Sequence, residues 1–348
     1  VAAGYPPSRT ASVAPVKQRH LGRSGLIVSR LALGTMTWGG DTDEDDAAAQ
    51  LLAFRDAGGT LLDTANTYVQ GESESVVGRL LKDVIPRDEV VLATKAYGVV
   101  GSGPMGRGTS RGHLLTALDQ SLKRLQTDYI DLWQLHSWDP VTPWDEAMAA
   151  LDWAVQSGRV RYAGVSNYSG WQQGATAAWQ RAVPGRAPLV SNQVEYSLLQ
   201  RGIEREVVPS ALDQGVGLLP WSPLGRGVLT GKYRNGSPAD SRGNSERFKP
   251  FVEPYLDERS RSVVDAVLTA ADGLGVSPVA VALAWVRDRP GVVAPIVGAR
   301  TNAQLQASLA AEHVVLPDVV RQALDDVSAP PIGYPEQMPR WSSEDLET

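Results

Sequence analysis

Eight short apolar runs recur along this chain and alternate with longer segments of helical periodicity, and that rhythm restricts the fold more than any other feature. The runs are Leu31–Met36, Thr60–Asp63, Val90–Lys95, Tyr129–His136, Val160–Ser166, Leu189–Gln193, Val216–Trp221 and Val292–Val297. Runs this short and this apolar suit strands buried on both faces. Between them, Ser110 is placed to cap a helix that carries Leu114, Leu115, Leu118, Leu122 and Leu125 on one face. Thr142-Pro143-Trp144-Asp145 combines an N-cap, a proline at the first helical position and an early acid, and Met148, Leu151 and Val155 follow at helical spacing. Strands alternating with helices imply a parallel sheet joined by right-handed crossovers. Eight such units in one chain of this length point to a closed (β/α)8 barrel, the TIM-barrel architecture, rather than an open sheet.

Two segments depart from the rhythm. Lys17–Leu21 and Leu26–Val28 flank Gly22-Arg23-Ser24-Gly25 and read as an N-terminal β-hairpin, placed to cover the bottom of the barrel. After the seventh run, Ser222 to Glu253 is long, polar and rich in Gly, Pro and Arg, the kind of insertion that is usually functional or disordered. The expected organisation is a flexible tail over 1–16, one barrel over 17–329, and a C-terminal tail over 330–348 that Tyr334, Met338 and Trp341 can dock.

Of the 348 residues, 43% are hydrophobic and 21% charged, which permits a large core. The formal net charge of −6 comes without a basic block, which argues against nucleic acid or an anionic membrane as the main partner. Cysteine is absent, so disulfides and thiolate chemistry are excluded, and a cytoplasmic location is compatible with that. No apolar stretch is long enough to cross a membrane as a helix.

In a barrel of this kind the active site lies at the C-terminal ends of the strands. Asp63, Lys95, His136, Ser166, Asn167 and Gln193 all fall at such ends, and Tyr68 lies in the loop after Asp63. A lone His there is more often a hydrogen-bonded core residue, and a lone Asp or Lys is often half of an ion pair. Their joint occurrence at successive strand ends favours chemistry. A Tyr phenol, with a pKa of about 10, is a weak acid–base group near neutrality, and a neighbouring Lys ammonium lowers it. A carboxylate beside the Lys keeps the ammonium in place, and a His orients a carbonyl by hydrogen bonding. The set polarises a C=O and delivers a proton to its oxygen. It holds no nucleophile and no metal cage, so the missing reactant is a hydride donor, which only a cofactor supplies.

Leu62-Asp63-Thr64-Ala65-Asn66-Thr67-Tyr68, Thr94-Lys95 and Leu135-His136 resemble the Asp, Tyr, Lys and His tetrad of the aldo-keto reductases. Gly164-Val165-Ser166-Asn167, Asn192-Gln193 and Trp221-Ser222-Pro223-Leu224-Gly225 resemble that family's nicotinamide-binding stretches, and Gly298-Ala299-Arg300-Thr301 with Gln304 its adenosine-phosphate segment. The likeness runs from Val16 to Ala329. Within the family it is nearest the branch that holds potassium-channel β subunits and bacterial relatives, through Gly231-Lys232-Tyr233 and Ser241-Arg242. The resemblance implies an NADPH-dependent reductase of small aldehydes and ketones. Tyr68 is then the proton donor, Lys95 and Asp63 tune it, and His136 orients the carbonyl. Ser166, Asn167 and Gln193 hold the nicotinamide carboxamide and Trp221 stacks on the ring. Ser222, Leu224, Arg226 and Lys232 fold over the pyrophosphate, and Thr35, Met36, Asp63, Pro223, Gly225 and Arg242 are further expected cofactor contacts. Gly298, Arg300, Gln304 and Ser308 take the adenosine end. A guanidinium at Arg300 suits a 2′-phosphate, and the helix expected over Thr301–Glu312 adds its N-terminal dipole. Ser308 stands where relatives often carry Asn, so adenine contacts are fewer or made through water. Trp38, Tyr68, His136 and Trp138, with the loop from Tyr97 to Gly108, are expected to line the substrate pocket.

Three other readings compete with this one. Gly101-Ser102-Gly103-Pro104-Met105-Gly106 matches a dinucleotide fingerprint, but no helix begins directly after it and Pro104 disrupts the turn. A barrel glycosidase needs two opposed carboxylates, and Asp139 and Glu195 are the nearest partners for Asp63. A nicotinamide-loaded regulatory subunit needs no complete tetrad and would turn over very slowly.

Overall fold

The structure, a computed structural model, describes residues 15–337 except 104, 105, 235, 239, 240, 247, 332, 335 and 336. Most of the expected N-terminal tail lies outside these residues, as do Met338, Trp341 and the side chain of Arg242. The chain opens with an antiparallel pair, β1 (Gln18–His20) and β2 (Ile27–Ser29). Eight parallel strands follow: β3 (Ala32–Gly34), β4 (Leu61–Asp63), β5 (Val91–Ala96), β6 (Ile130–Leu135), β7 (Val160–Ser166), β8 (Leu189–Glu195), β9 (Gly217–Trp221) and β10 (Ile296–Gly298). Their order in the sheet is β10-β3-β4-β5-β6-β7-β8-β9. A parallel bridge from Leu218 to Val292 joins the two ends, so the sheet comes round to a nearly closed (β/α)8 barrel.

The α-helices among the described residues are α1 (Glu44–Asp56), α2 (Glu72–Asp83), α3 (Arg111–Leu125), α4 (Trp144–Gln156), α5 (Gly170–Ala182), α6 (Val207–Gln214), α7 (Lys249–Val252), α8 (Glu258–Leu274), α9 (Pro278–Arg287), α10 (Asn302–Leu309) and α11 (Asp318–Val327). Ser110 caps α3 by accepting from the His113 amide, as its position predicts. Thr142 does not cap α4. Its hydroxyl donates instead to Asp139 Oδ2 at 2.8 Å, and Pro143 occupies the cap position without a side-chain bond. The helix expected over Thr301–Glu312 stays α-helical only to Leu309 and tightens to a 3-10 turn over Ala310–His313. Among the described residues no single helix is long and apolar enough to cross a membrane.

Two apolar clusters divide the interior. Leu61, Ala93, Leu132, Val190, Leu219 and Ile296 fill the barrel, together with Leu21, Leu26 and Val28 of the hairpin. The hairpin therefore plugs the barrel from below. Gly22, at its tip, has φ +58°, and a Cβ there would stand 2.6 Å from the carbonyls of Gly215 and Val190, beside the starts of β8 and β9. The larger cluster lies between strands and helices. The last strand is shorter than the apolar run suggests. Pro295 has no amide to extend the ladder, and its carbonyl accepts from Ala32.

Candidate active site

At the C-terminal end of the barrel a cleft of about 610 Å³ runs from Tyr68 and His136 to Arg300, Gln304 and Ser308. Asp63 is the last residue of β4 and Lys95 the fifth of β5, and the barrel closes over both, leaving them 2% and 0% exposed. The Lys95 ammonium has three N–H donors. They meet Asp63 Oδ2 at 2.6 Å, the Thr64 carbonyl at 2.8 Å and the Tyr68 hydroxyl at 3.2 Å. All three donors are used, so the Tyr68 oxygen accepts and its own proton is free to point elsewhere. His136 follows β6, and its ring stands edge-on to Tyr68 at 5.9 Å.

Electrostatics separate these groups. Burial pushes the Tyr68 phenol up, the Lys95 charge opposes this, and the Asp63 charge adds to it. The net direction is upward, so the lowering expected from Lys95 alone is outweighed by desolvation. Burial acts to lower Lys95, but the Asp63 charge and the hydrogen bonds with Asp63 and Tyr68 prevail and hold it above the ordinary value as an ammonium. Burial and the Lys95 charge press His136 down to about 3, so its imidazole is neutral near pH 7. The arrangement holds a protonated phenol and a neutral imidazole at one end of an open cleft, above a buried ion pair.

A continuous hydrogen-bond path links the strand ends. Ser166 and Gln193 lie opposite each other in register. The Ser166 hydroxyl donates to the Gln193 carbonyl at 2.8 Å. Asn167 donates from Nδ2 to Ser166 Oγ at 3.1 Å and to the His136 carbonyl at 3.0 Å, and its Oδ1 accepts from Trp221 Nε1 at 3.0 Å. Gln193 Nε2 donates to Asp63 Oδ1 at 2.8 Å. Asn167, Ser222 and Arg226 all have positive φ, at 60°, 50° and 57°, so the backbone is strained where side chains are aimed into the cleft.

The chain after Trp221 folds into a 3-10 segment, Gly225–Thr230, along the cleft. Met36, Ser222, Pro223, Leu224, Arg226, Lys232, Gly298, Arg300, Gln304 and Ser308 line it, with Ser166, Asn167, Gln193 and Trp221. Arg226 is not a loose cation. Its guanidinium meets both oxygens of Glu195 at 2.9 Å and lies over Phe251 and Tyr255. The Arg300 amide donates to Gln304 Oε1 at 2.9 Å, and Thr301 caps α10.

Several expected positions fall elsewhere. Trp38 is fully buried and its indole N–H donates to Gln50 Oε1 at 3.2 Å, so it packs in the core rather than lining a pocket. Thr35 is buried too, and its hydroxyl lies 2.8 Å from Ser73 Oγ. Gly225, at φ +54°, turns the backbone against Leu199 and does not line the cleft. Trp138 stands off the cleft, edge-on to Tyr168 and Trp171, each at 5.2 Å. The loop carrying Gly101 and Gly106 closes on itself through Val100 N to Gly106 O, and α3 begins only at Arg111. Asp139 binds the Thr109 and Val141 amides and Glu195 binds Arg226, so both acids are engaged in structure.

Other lining residues carried no sequence signal. Thr230, Phe251, Val279 and Ala307 reach the cleft because distant elements converge there. Ser73 and Glu74, at the start of α2, are fully buried, Ser73 against Thr35 and Thr64 and Glu74 against Thr94. A polar pair inside an amphipathic first turn was the available clue.

The family model described as the aldo/keto reductase family matches residues 30–329. Among curated proteins, the chain is 39% identical to the uncharacterized oxidoreductase YrpG of Bacillus subtilis, over 92% of this chain and 99% of that one. It is 37% identical to a probable voltage-gated potassium channel subunit beta of Oryza sativa, over 90% and 96% of the two chains. It is 35% identical to the L-glyceraldehyde 3-phosphate reductase of Escherichia coli K12, over 85% and 87%.

Proposed function

The chain belongs to the aldo/keto reductase family, a family of oxidoreductases that use NAD(P)H, and from that premise we propose that it reduces the carbonyl of small aldehydes or ketones with NADPH. The observation that carries this reading is the Lys95 ammonium bonded to Asp63 and to the Tyr68 oxygen, with His136 beside them at the mouth of the cleft.

The donor set of the cleft fits a nicotinamide dinucleotide. Ser166, Asn167 and Gln193 would hold the carboxamide, Trp221 would cover one ring face, and Ser222, Leu224 and Lys232 would follow the pyrophosphate. Asp63 accepts only, so it turns the Gln193 amide with its NH2 inward and leaves Oε1 to accept a carboxamide N–H. Arg300 at the far end, beside the capped start of α10, would meet a 2′-phosphate and favour NADPH over NADH. Arg226 would act through its Glu195 pair, as a strut of the loop. When bound, the dihydronicotinamide supplies the hydride.

The chain's own residues manage the proton. A substrate carbonyl oxygen near Tyr68 and His136 would accept a hydrogen bond from the neutral imidazole. Tyr68 would give up its phenolic proton to that oxygen as negative charge develops there. The phenolate left behind would be stabilised by Lys95, whose charge and position Asp63 maintains. A raised phenol pKa keeps the proton on Tyr68 until the carbonyl oxygen becomes basic.

The test is NADPH oxidation, followed by absorbance over a panel of aldehydes and ketones, with the parent chain and Tyr68→Phe. Turnover that collapses in the variant while NADPH still binds is the expected result. The likeness to the Oryza sativa protein named as a channel β subunit keeps a second reading, a nicotinamide-loaded regulatory subunit. Tight NADPH binding without turnover on any carbonyl would favour it.

A further inference from the structure

Glu74 is fully buried, yet the chemistry proposed above does not use it. Its Oε1 accepts from the Thr94 hydroxyl at 2.5 Å. Thr94 precedes Lys95 in β5, so their side chains leave opposite faces of the strand. Glu74 thus grips the back of the strand that carries Lys95. Its Oε2 meets Arg124, from the last turn of α3, with Nε at 2.8 Å and Nη2 at 2.7 Å. Gly78 allows the two helices this close, since a Cβ there would stand 2.4 Å from the Arg124 carbonyl.

Immediately before α2 lies the turn that begins with Tyr68. Val69, Gln70 and Gly71 have φ of 48°, 57° and 96° in succession. A left-handed β-branched residue such as Val69 is an outlier, and such backbone persists only where its surroundings over-determine it. The turn is held at Gly71 through Arg124. Arg124 packs against it, with Cδ 3.1 Å from where a Cβ would be, and the same guanidinium is held by Glu74.

We propose that Glu74 is a positioning residue whose buried carboxylate clamps the left-handed turn carrying Tyr68 onto the strand carrying Lys95, and so keeps the phenol within hydrogen-bond reach of the ammonium. The kinetic consequence rests on the carbonyl-reductase reading, whereas the clamp itself is a matter of geometry. Glu74 touches neither the cleft nor the reacting atoms and acts only through where Tyr68 stands.

The experiment compares the full-length parent, Glu74→Gln and Thr94→Val, each also prepared with a ring-fluorinated tyrosine at position 68. Fluorine NMR reads the phenol's environment and its titration directly, without turnover. In the variants the single resonance expected of the parent should broaden or split. The phenol should also titrate at higher pH, because Lys95 no longer offsets its burial. In parallel, kcat should fall by about 10–100-fold, the loss typical of a small misplacement of a reacting group. NADPH affinity should stay unchanged, and the solvent isotope effect on kcat should grow as proton donation becomes limiting. An unchanged fluorine titration in folded variants overturns the proposal, even if kcat, NADPH affinity and melting temperature all decline together. If Glu74→Gln does not fold, Thr94→Val, which removes one hydroxyl and leaves the Arg124 pair, decides. A parent without turnover would defeat the reductase reading alone, and the fluorine titration would still judge the clamp.

Discussion

Gln193 donates from Nε2 to Asp63 Oδ1 across 2.8 Å, while the other oxygen of Asp63 holds Lys95. One side chain therefore both lines the cleft and supports the buried ion pair beneath it. Replacing Gln193 with Met keeps the volume and removes the donor. A buried charged acceptor that loses a hydrogen bond costs about 1.5–3 kcal/mol. Gln193→Met should lose stability of that order in urea unfolding, and both kcat and NADPH affinity should fall. Loss of affinity with full stability would mean that Asp63 finds another donor.

The ion pair itself makes a second prediction. Lys95 and Asp63 are 0% and 3% exposed at their side chains, so removing one partner strands the other in a dry site. Breaking a buried pair this way costs about 3–5 kcal/mol. Lys95→Met should be destabilised by that amount, whereas Lys95→Met with Asp63→Asn should recover much of it. Both should be inactive. A double variant no more stable than the single one would show that the pair is not what Lys95→Met disrupts.

How much of this was legible in sequence depends on whether the signal is local. The strands were, because apolar runs punctuated by helical segments survive in one dimension, and Asp63, Lys95, His136, Ser166 and Gln193 mark strand ends. Partners chosen in three dimensions were not. Arg226 looks like a free cation until Glu195, at the end of β8, takes it. Thr142 looks like a cap until Asp139 gathers the loop around itself. Glu74 has no motif of its own, because its meaning lies in Thr94 and Arg124. Trp38, four residues past Gly34 at the end of β3, looks in sequence like a pocket wall. The direction in which its ring turns is set by Gln50, on α1.

Trp38 therefore yields a prediction opposite to a binding role. As a fully buried core side chain, Trp38→Ala should cost about 3–5 kcal/mol. A folded sample at low temperature should keep its KM for carbonyl substrates. A selective rise in KM without loss of stability would return Trp38 to the substrate site.

His136 makes stability depend on pH. Burial and the Lys95 charge lower its pKa to about 3 in the folded chain, against about 6.5 for an unperturbed His. Between those values the unfolded state binds the extra proton, so stability rises with pH. The contribution is complete above about pH 6.5 and is lost as pH falls toward 3. Unfolding free energy measured from pH 7 to pH 5 should fall more steeply in the parent than in His136→Gln. The same depressed value predicts no His136 limb in the rate profile between pH 5 and 8. Equal slopes in the two proteins would mean that His136 is solvated enough to titrate normally.

On the proposed reading, Arg300 would separate the two nicotinamide cofactors. It lies at the far end of the cleft, beside Gln304 and the N-terminus of α10, where a 2′-phosphate would meet both a guanidinium and a helix dipole. A charge-assisted hydrogen bond contributes about 1.5–3 kcal/mol, which is roughly 10- to 150-fold in affinity. Arg300→Leu should weaken NADPH by about that factor in calorimetric titration and leave NADH nearly unchanged, because NADH lacks the phosphate that Arg300 would meet. Equal weakening of both cofactors would instead place the guanidinium on the adenine or the pyrophosphate, and the preference for NADPH would then have to come from Lys232 or from the start of α10.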